Sequence, residues 1–151
     1  MRTAALFFAL SLAACTAPAT KPGGVRPDLD AAWLTPSGEV RWPPDNGFAG
    51  PATPIVLPPG VLLDRFGPET GRFFSPKGAA FKARALPSLC DTQPYSVYRV
   101  AAPLPVWIGR AAGWFNEPGG ATQVQTDASV AQLVADGTLA RVAGSKAECA
   151  R

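Results

Sequence analysis

The chain has 151 residues, 47% of them hydrophobic, and a formal net charge of +3 that is spread along the sequence without a basic tract. That supplies one core for one domain, excludes global disorder and argues against nucleic acid as a partner. There is no histidine, so imidazole bases and ligands are excluded, and the three cysteines lack the Cys-x-x-Cys spacing of a structural zinc site.

Met1-Arg2 and the apolar run Ala4 to Ala14 have the make-up of a secretory signal, and the run is too short to span a bilayer. The run ends Leu12-Ala13-Ala14-Cys15, which resembles a bacterial lipobox with lipid attached at Cys15. Residues 1–14 are therefore assigned to a signal peptide. Residues 15–32, rich in Pro and Gly, are assigned to a flexible tether, and residues 33–151 to the domain. With Cys15 lipidated or removed, Cys90 and Cys149 remain as an even pair for a disulfide in an oxidising compartment. That bridge would be worth about 3–4 kcal/mol.

The 17 Pro and 15 Gly call for short strands and turns rather than long helices. Trp42 to Phe48 is turn-rich. Strands are expected at Pro54–Leu57, Val61–Gly67, within Gly71–Gly78, at Tyr95–Val100, Leu104–Ile108, Thr122–Gln125 and Thr138–Val142. Phe81–Leu86 is open between a helical turn and a loop. The one clear helix has Asp127 as its cap, Val130, Leu133 and Val134 at helical spacing, and Gly137 as its stop. The fold class is α+β: a compact, mainly antiparallel sheet of six or so strands with one or two short helices.

Trp114 to Gln123 puts two aromatics beside a Pro-Gly-Gly break and a Thr-Gln pair. Read alone, this is a turn before a strand more than a pocket, although aromatic walls and an amide also suit a small molecule.

Seven blocks occur in the order of one family. They are Trp42-Pro43-Pro44-Asp45-Asn46-Gly47-Phe48; Leu62-Leu63-Asp64-Arg65-Phe66-Gly67 with Gly71-Arg72-Phe73-Phe74-Ser75-Pro76-Lys77-Gly78; Arg84-Ala85-Leu86-Pro87; Tyr95 to Val100; Pro103 to Val106; Trp114-Phe115 with Pro118 to Gln123; and Ser129-Val130 through Gly137-Thr138-Leu139. Together they resemble the TNT domain, the catalytic module of the tuberculosis necrotizing toxin and of related fungal surface NAD glycohydrolases, with a fold akin to ADP-ribosyltransferases.

The resemblance implies hydrolysis of the nicotinamide–ribose bond of NAD(P)+, with no cofactor and no metal at the reacting centre. By motif, Arg65 and Gln123 are the catalytic pair. Phe66, Phe73, Phe74, Trp114, Gly119, Gly120 and Thr122 are the implied substrate-binding residues. Arg72, Lys77 and Arg84 read more simply as solvated charges than as phosphate contacts. An exported toxin, a cognate immunity protein and membrane attachment through Cys15 complete the expectation.

The sequence also departs from the pattern. The toxin members' histidine near the Tyr-x-Val-Tyr strand is missing, with Ser96 in that neighbourhood. The glycine run is altered at Asn116, Glu117, Ala121 and Val124, so Glu117 brings an extra carboxylate and Ala121 a Cβ. These departures keep two alternatives open: a catalytically impaired nucleotide- or protein-binding lipoprotein, and an ADP-ribosyltransferase.

Overall fold

The structure, a computed structural model, describes residues 24–144 and Cys149. The signal segment, Cys15 and the first part of the tether lie outside the described residues.

Seven antiparallel strands form one sheet: β1 (Thr53–Leu57), β2 (Leu62–Phe66), β3 (Phe73–Pro76), β4 (Tyr95–Val100), β5 (Leu104–Arg110), β6 (Thr122–Gln125) and β7 (Leu139–Val142), in the order β1-β5-β6-β3-β2-β4-β7. Among the described residues there is one α-helix, α1 (Val130–Ala135), which precedes β7. Tyr95–Val100 alternates Tyr95, Val97 and Arg99 against Ser96, Tyr98 and Val100, whereas β2 runs Leu62-Leu63 directly into Asp64-Arg65-Phe66. Both faces of these two strands carry buried residues, Leu63 with Tyr98 on one and Asp64 with Val97 on the other. Leu63, Phe74, Tyr98, Val100, Val106, Val124 and Leu139 cover one face, and Val130 and Leu133 of α1 close over it.

The helix is capped by Ser129, not by Asp127. The Ser129 hydroxyl accepts from the Gln132 backbone N–H while the Gln132 side chain accepts from the Ser129 N–H, a reciprocal capping box. The helical-turn alternative for Phe81–Leu86 resolves to a 3-10 turn at Lys82–Arg84. Strand β5 runs two residues beyond Ile108, because Gly109 and Arg110 pair with Gln123 and Thr122.

The sheet is divided in the middle. Strands β1, β5, β6 and β3 form one half and β2, β4 and β7 the other. The two halves meet through two register pairs only, Leu63↔Pro76 and Asp64↔Ser75. Beyond them β2 continues against β4 through Arg65 and Phe66, while β3 runs against β6 through Phe74 and Phe73. The diverging strands leave a gap within the sheet.

Residues assigned to the tether pack on the domain from Gly24 onward. Leu29 is buried, Gln93 donates to the Gly24 carbonyl, and Arg26 forms an ion pair with Glu117. Cys90 and Cys149 are joined by a disulfide across 59 residues of sequence. Cross-linking a loop of that length stabilises chiefly by restricting the unfolded chain. Replacing both cysteines by serine should cost about 3–4 kcal/mol. The corresponding fall in Tm is roughly 10 °C or more, and calorimetry of the oxidised and substituted proteins checks it.

Candidate active site

Arg65 stands where the sheet splits. Its guanidinium reaches across the gap, Nη1 donating to the Phe73 carbonyl at 3.2 Å and Nε to the Gly67 carbonyl at 3.4 Å, with Cζ 6.0 Å from the centre of the Phe74 ring. The residue is 6% exposed. Burial pushes the guanidinium below its ordinary pKa, opposed by the nearby Tyr98 and Glu69. A guanidinium is nevertheless always a cation in a protein. Among the described residues it forms no ion pair, because Glu69 is engaged elsewhere. Gly71 leaves room for it, since a Cβ there would push the guanidinium from this position.

Glu69 holds the loop between β2 and β3. It accepts from Arg141 Nε at 2.7 Å, from Arg141 Nη2, and from the Tyr98 hydroxyl at 2.8 Å. The Arg141 hydrogen bond, followed by that of Tyr98, holds the Glu69 carboxyl below its usual range. A carboxyl with a depressed folded pKa contributes stability above the unfolded value, about 4.3, and loses it as pH falls through the folded value. The protein should therefore lose stability on acidification below about pH 4. Glu69→Gln should flatten that part of the profile, as read by Tm against pH.

Asp64, next to Arg65 but on the opposite face, is buried in a polar network. It accepts from the Gly78 N–H at 3.0 Å and the Tyr95 hydroxyl at 2.9 Å, and it pairs with Arg84 at 2.5 Å. Arg84 also donates to the Ala79 carbonyl and lies 5.1 Å over the Phe66 ring, which packs on Phe81 and Tyr95. Arg84 is thus an internal strut. The expectation of a solvated charge fails because a buried carboxylate one strand away demands a cation. Arg72 and Lys77 are exposed.

Gln123 lies on β6 on the face shared with Asp64 and Ser75, and its Nε2 donates to the Asn46 carbonyl at 2.8 Å. That bond ties it to a loop in which Asp45, Asn46 and Gly47 all have positive φ. Arg65 and Gln123 line the same inner recess, of about 170 Å³, together with Trp42, Phe66, Phe73, Phe74 and Arg84. An outer recess of about 640 Å³ shares Trp42, Arg65 and Phe66 and is walled by Val25, Glu39 and Gln93.

Other motif residues stand elsewhere. Trp114 packs on Trp33 with ring centres 4.8 Å apart, and its Nε1 donates to the Arg41 carbonyl, so it faces away from the recess. Phe115 is fully buried against Trp33 and Trp42. Phe115 and Asn116 both have positive φ between Trp114 and Glu117, whose backbones exchange two hydrogen bonds, so the segment is a tight hairpin. Gly119 is needed for close packing, as a Cβ would lie 2.5 Å from the Ala112 backbone. Gly120 sits beside Arg110, and Thr122 is exposed at the start of β6.

The extra carboxylate of Glu117 is taken by Arg26 at 2.5 Å. Ala121 has no positive φ, so its Cβ is accommodated without strain, and its N–H donates to the Ala83 carbonyl. In place of Trp114, the tryptophan that lines the recess is Trp42, 64% exposed. A large aromatic directly before a Pro-Pro turn was the available sign. The wall formed by Val25 and Glu39 has none, because a fold-back of an irregular segment leaves no period.

A split antiparallel sheet holding a buried cation, an amide and exposed aromatics around one cleft defines a small α+β domain. Such a cleft is suited to a ligand with both anionic and flat aromatic parts. The family model described as tuberculosis necrotizing toxin matches residues 56–142, and the chain belongs to that family. It is 39% identical over 128 residues to the conidial surface nicotinamide adenine dinucleotide glycohydrolase of Aspergillus fumigatus, covering 76% of this chain and 55% of that protein. The chain therefore spans little more than half the length of that relative. Among solved structures, the tuberculosis necrotizing toxin complexed with its immunity factor superposes with a TM-score of 0.58 at 24% identity, covering 71% of this chain and 65% of that one, a likeness of fold.

Proposed function

We propose that the chain is an exported NAD(P)+ glycohydrolase that cleaves the nicotinamide–ribose bond to give nicotinamide and ADP-ribose. The observation that carries this reading is that Arg65, buried and without an ion pair among the described residues, and Gln123 line one recess. An isolated cation inside a protein is costly, and an anionic ligand such as a pyrophosphate offsets that cost through bidentate hydrogen bonds. The relative's name as a nicotinamide adenine dinucleotide glycohydrolase supports the same substrate.

In this reaction the C1′–N bond breaks with its electron pair going to the nicotinamide nitrogen. Water oxygen bonds to C1′, and its proton passes to solvent. Nicotinamide leaves neutral, so no acid is required. The oxocarbenium-like transition state needs positioning and hydrogen bonds to the ribose. Gln123 orients the water or a ribose hydroxyl, Arg65 holds the pyrophosphate, and Phe66, Phe73 and Trp42 offer faces to the nicotinamide ring. The test is nicotinamide release from NAD+ by purified protein. A folded sample that releases none at high concentration would overturn the activity.

Export and a lipid anchor at Cys15 are part of the reading. They are supported by the signal-like run, the Cys90–Cys149 disulfide and the surface location in the relative's name. The mass of the mature N-terminus discriminates lipidation from simple secretion. A toxin role with a neutralising partner draws on the toxin's solved complex with an immunity factor.

A further inference from the structure

A second cavity, of about 560 Å³, lies on the other side of the Asp45–Gly47 loop from the Arg65 recess, lined by Asp45, Asn46, Phe48, Trp107 and Gln125 among others. Trp107 and Gln125 of that lining belong to one cross-strand row, whose third member, Phe73, lines the Arg65 recess instead. Phe73 on β3 pairs with Gln125 on β6, which pairs with Trp107 on β5. Strand spacing sets the two aromatics about 10 Å apart with the amide between them. Trp107 and Phe73 are 42% and 38% exposed, unusual for aromatics of their size, whereas Gln125 is 8% exposed. Its amide is not sealed inside the protein and opens onto the cavity. An amide held at a cavity wall beside an exposed indole offers a ligand a donor, an acceptor and a flat face.

The cavity adjoins the proposed catalytic amide. Gln123 and Gln125 project from the same face of β6, about 7 Å apart along the strand, and Gln123 is bonded to the loop that separates the two spaces. Among the described residues no lysine or arginine lines the second cavity, so it suits an uncharged moiety rather than a phosphate.

We propose that this cavity binds the adenosine moiety of the dinucleotide, an assignment that rests on the glycohydrolase reading. Gln125 donates to and accepts from the adenine edge, a pairing an amide side chain makes with N7 and the exocyclic amine. Trp107 provides the stacking surface. The Asp45 carboxylate accepts from ribose hydroxyls, the role an acidic residue takes at nucleoside sites. The pyrophosphate then lies toward Arg65 and the nicotinamide ribose at Gln123.

Two measurements test this. Calorimetric titration with AMP should detect binding to the wild type, weakened about tenfold by Gln125→Ala and by Trp107→Ala. In steady-state assays both variants should reduce the kcat/KM preference for NAD+ over nicotinamide mononucleotide by a similar factor, since the mononucleotide lacks the adenosine. Trp107→Ala, at an exposed position, keeps the test open should Gln125→Ala fail to fold. No binding of AMP to the wild type, or binding and preference equal in wild type and folded variants, overturns the assignment. AMP binding that depends on Gln125 in a protein that releases no nicotinamide would uphold the site and remove the glycohydrolase reading.

Discussion

Gln123→Ala is expected to slow nicotinamide release from NAD+ by a factor on the order of 10²–10³ while leaving the thermal transition within a few degrees of wild type. The kinetic part follows from what an amide does at an oxocarbenium-like centre. It fixes the geometry of a water or a ribose hydroxyl, and removing one preorganised hydrogen-bonding group from such a site costs that much. The stability part follows from the small structural role of Gln123. The side chain is half-buried and makes one hydrogen bond, to the Asn46 carbonyl. Such a bond contributes about 0.5–1.5 kcal/mol. The freed carbonyl lies beside an open recess, where water can replace the amide. Kinetics and calorimetry on the same preparation check both halves. A folded variant with wild-type turnover would remove Gln123 from the mechanism.

The strands were legible where one periodicity dominated. Tyr95–Val100 and Thr122–Gln125 occur with the expected bounds, although both faces carry buried residues, Val97 against Tyr98 in the first and Val124 against Gln125 in the second. The helix cap was misassigned because Asp127 and Ser129 are both capping residue types. Only the reciprocal bond with Gln132 favours Ser129. The split between β2 and β3 was not legible, since it depends on two strands diverging after a shared register and not on either sequence alone. The recess owes its existence to that divergence. Motif comparison could therefore pick out Arg65 and Gln123, while the aromatics around them had to be sorted by position. Phe66, Phe73 and Phe74 reach the recess, and Trp114 faces Trp33. Glu117 reads as a free carboxylate in sequence, and pairing with Arg26, 91 residues earlier, is a tertiary event without local trace.

Arg65→Met should give the opposite profile from most core substitutions: turnover lost by orders of magnitude, and stability retained within about 1 kcal/mol or raised. A guanidinium at 6% exposure with no ion pair among the described residues is desolvated without a compensating charge. Its hydrogen bonds, at 3.2 and 3.4 Å, go to the Phe73 and Gly67 backbone carbonyls, and both border the cleft. Methionine fills comparable length along Phe74, removes the desolvation cost and leaves carbonyls that water can reach. The substrate's pyrophosphate loses its bidentate partner, so the defect should appear as a raised KM as well as a lowered kcat. Arg65→Lys discriminates charge from geometry. An ammonium keeps the charge but not the planar fork, and where two backbone carbonyls and a phosphate must be met at once it should rescue little. Urea denaturation measures the stability of each variant and nicotinamide release its turnover. A strong loss of stability in Arg65→Met, with activity falling only in proportion to the unfolded fraction, would make Arg65 a structural residue and not a substrate ligand.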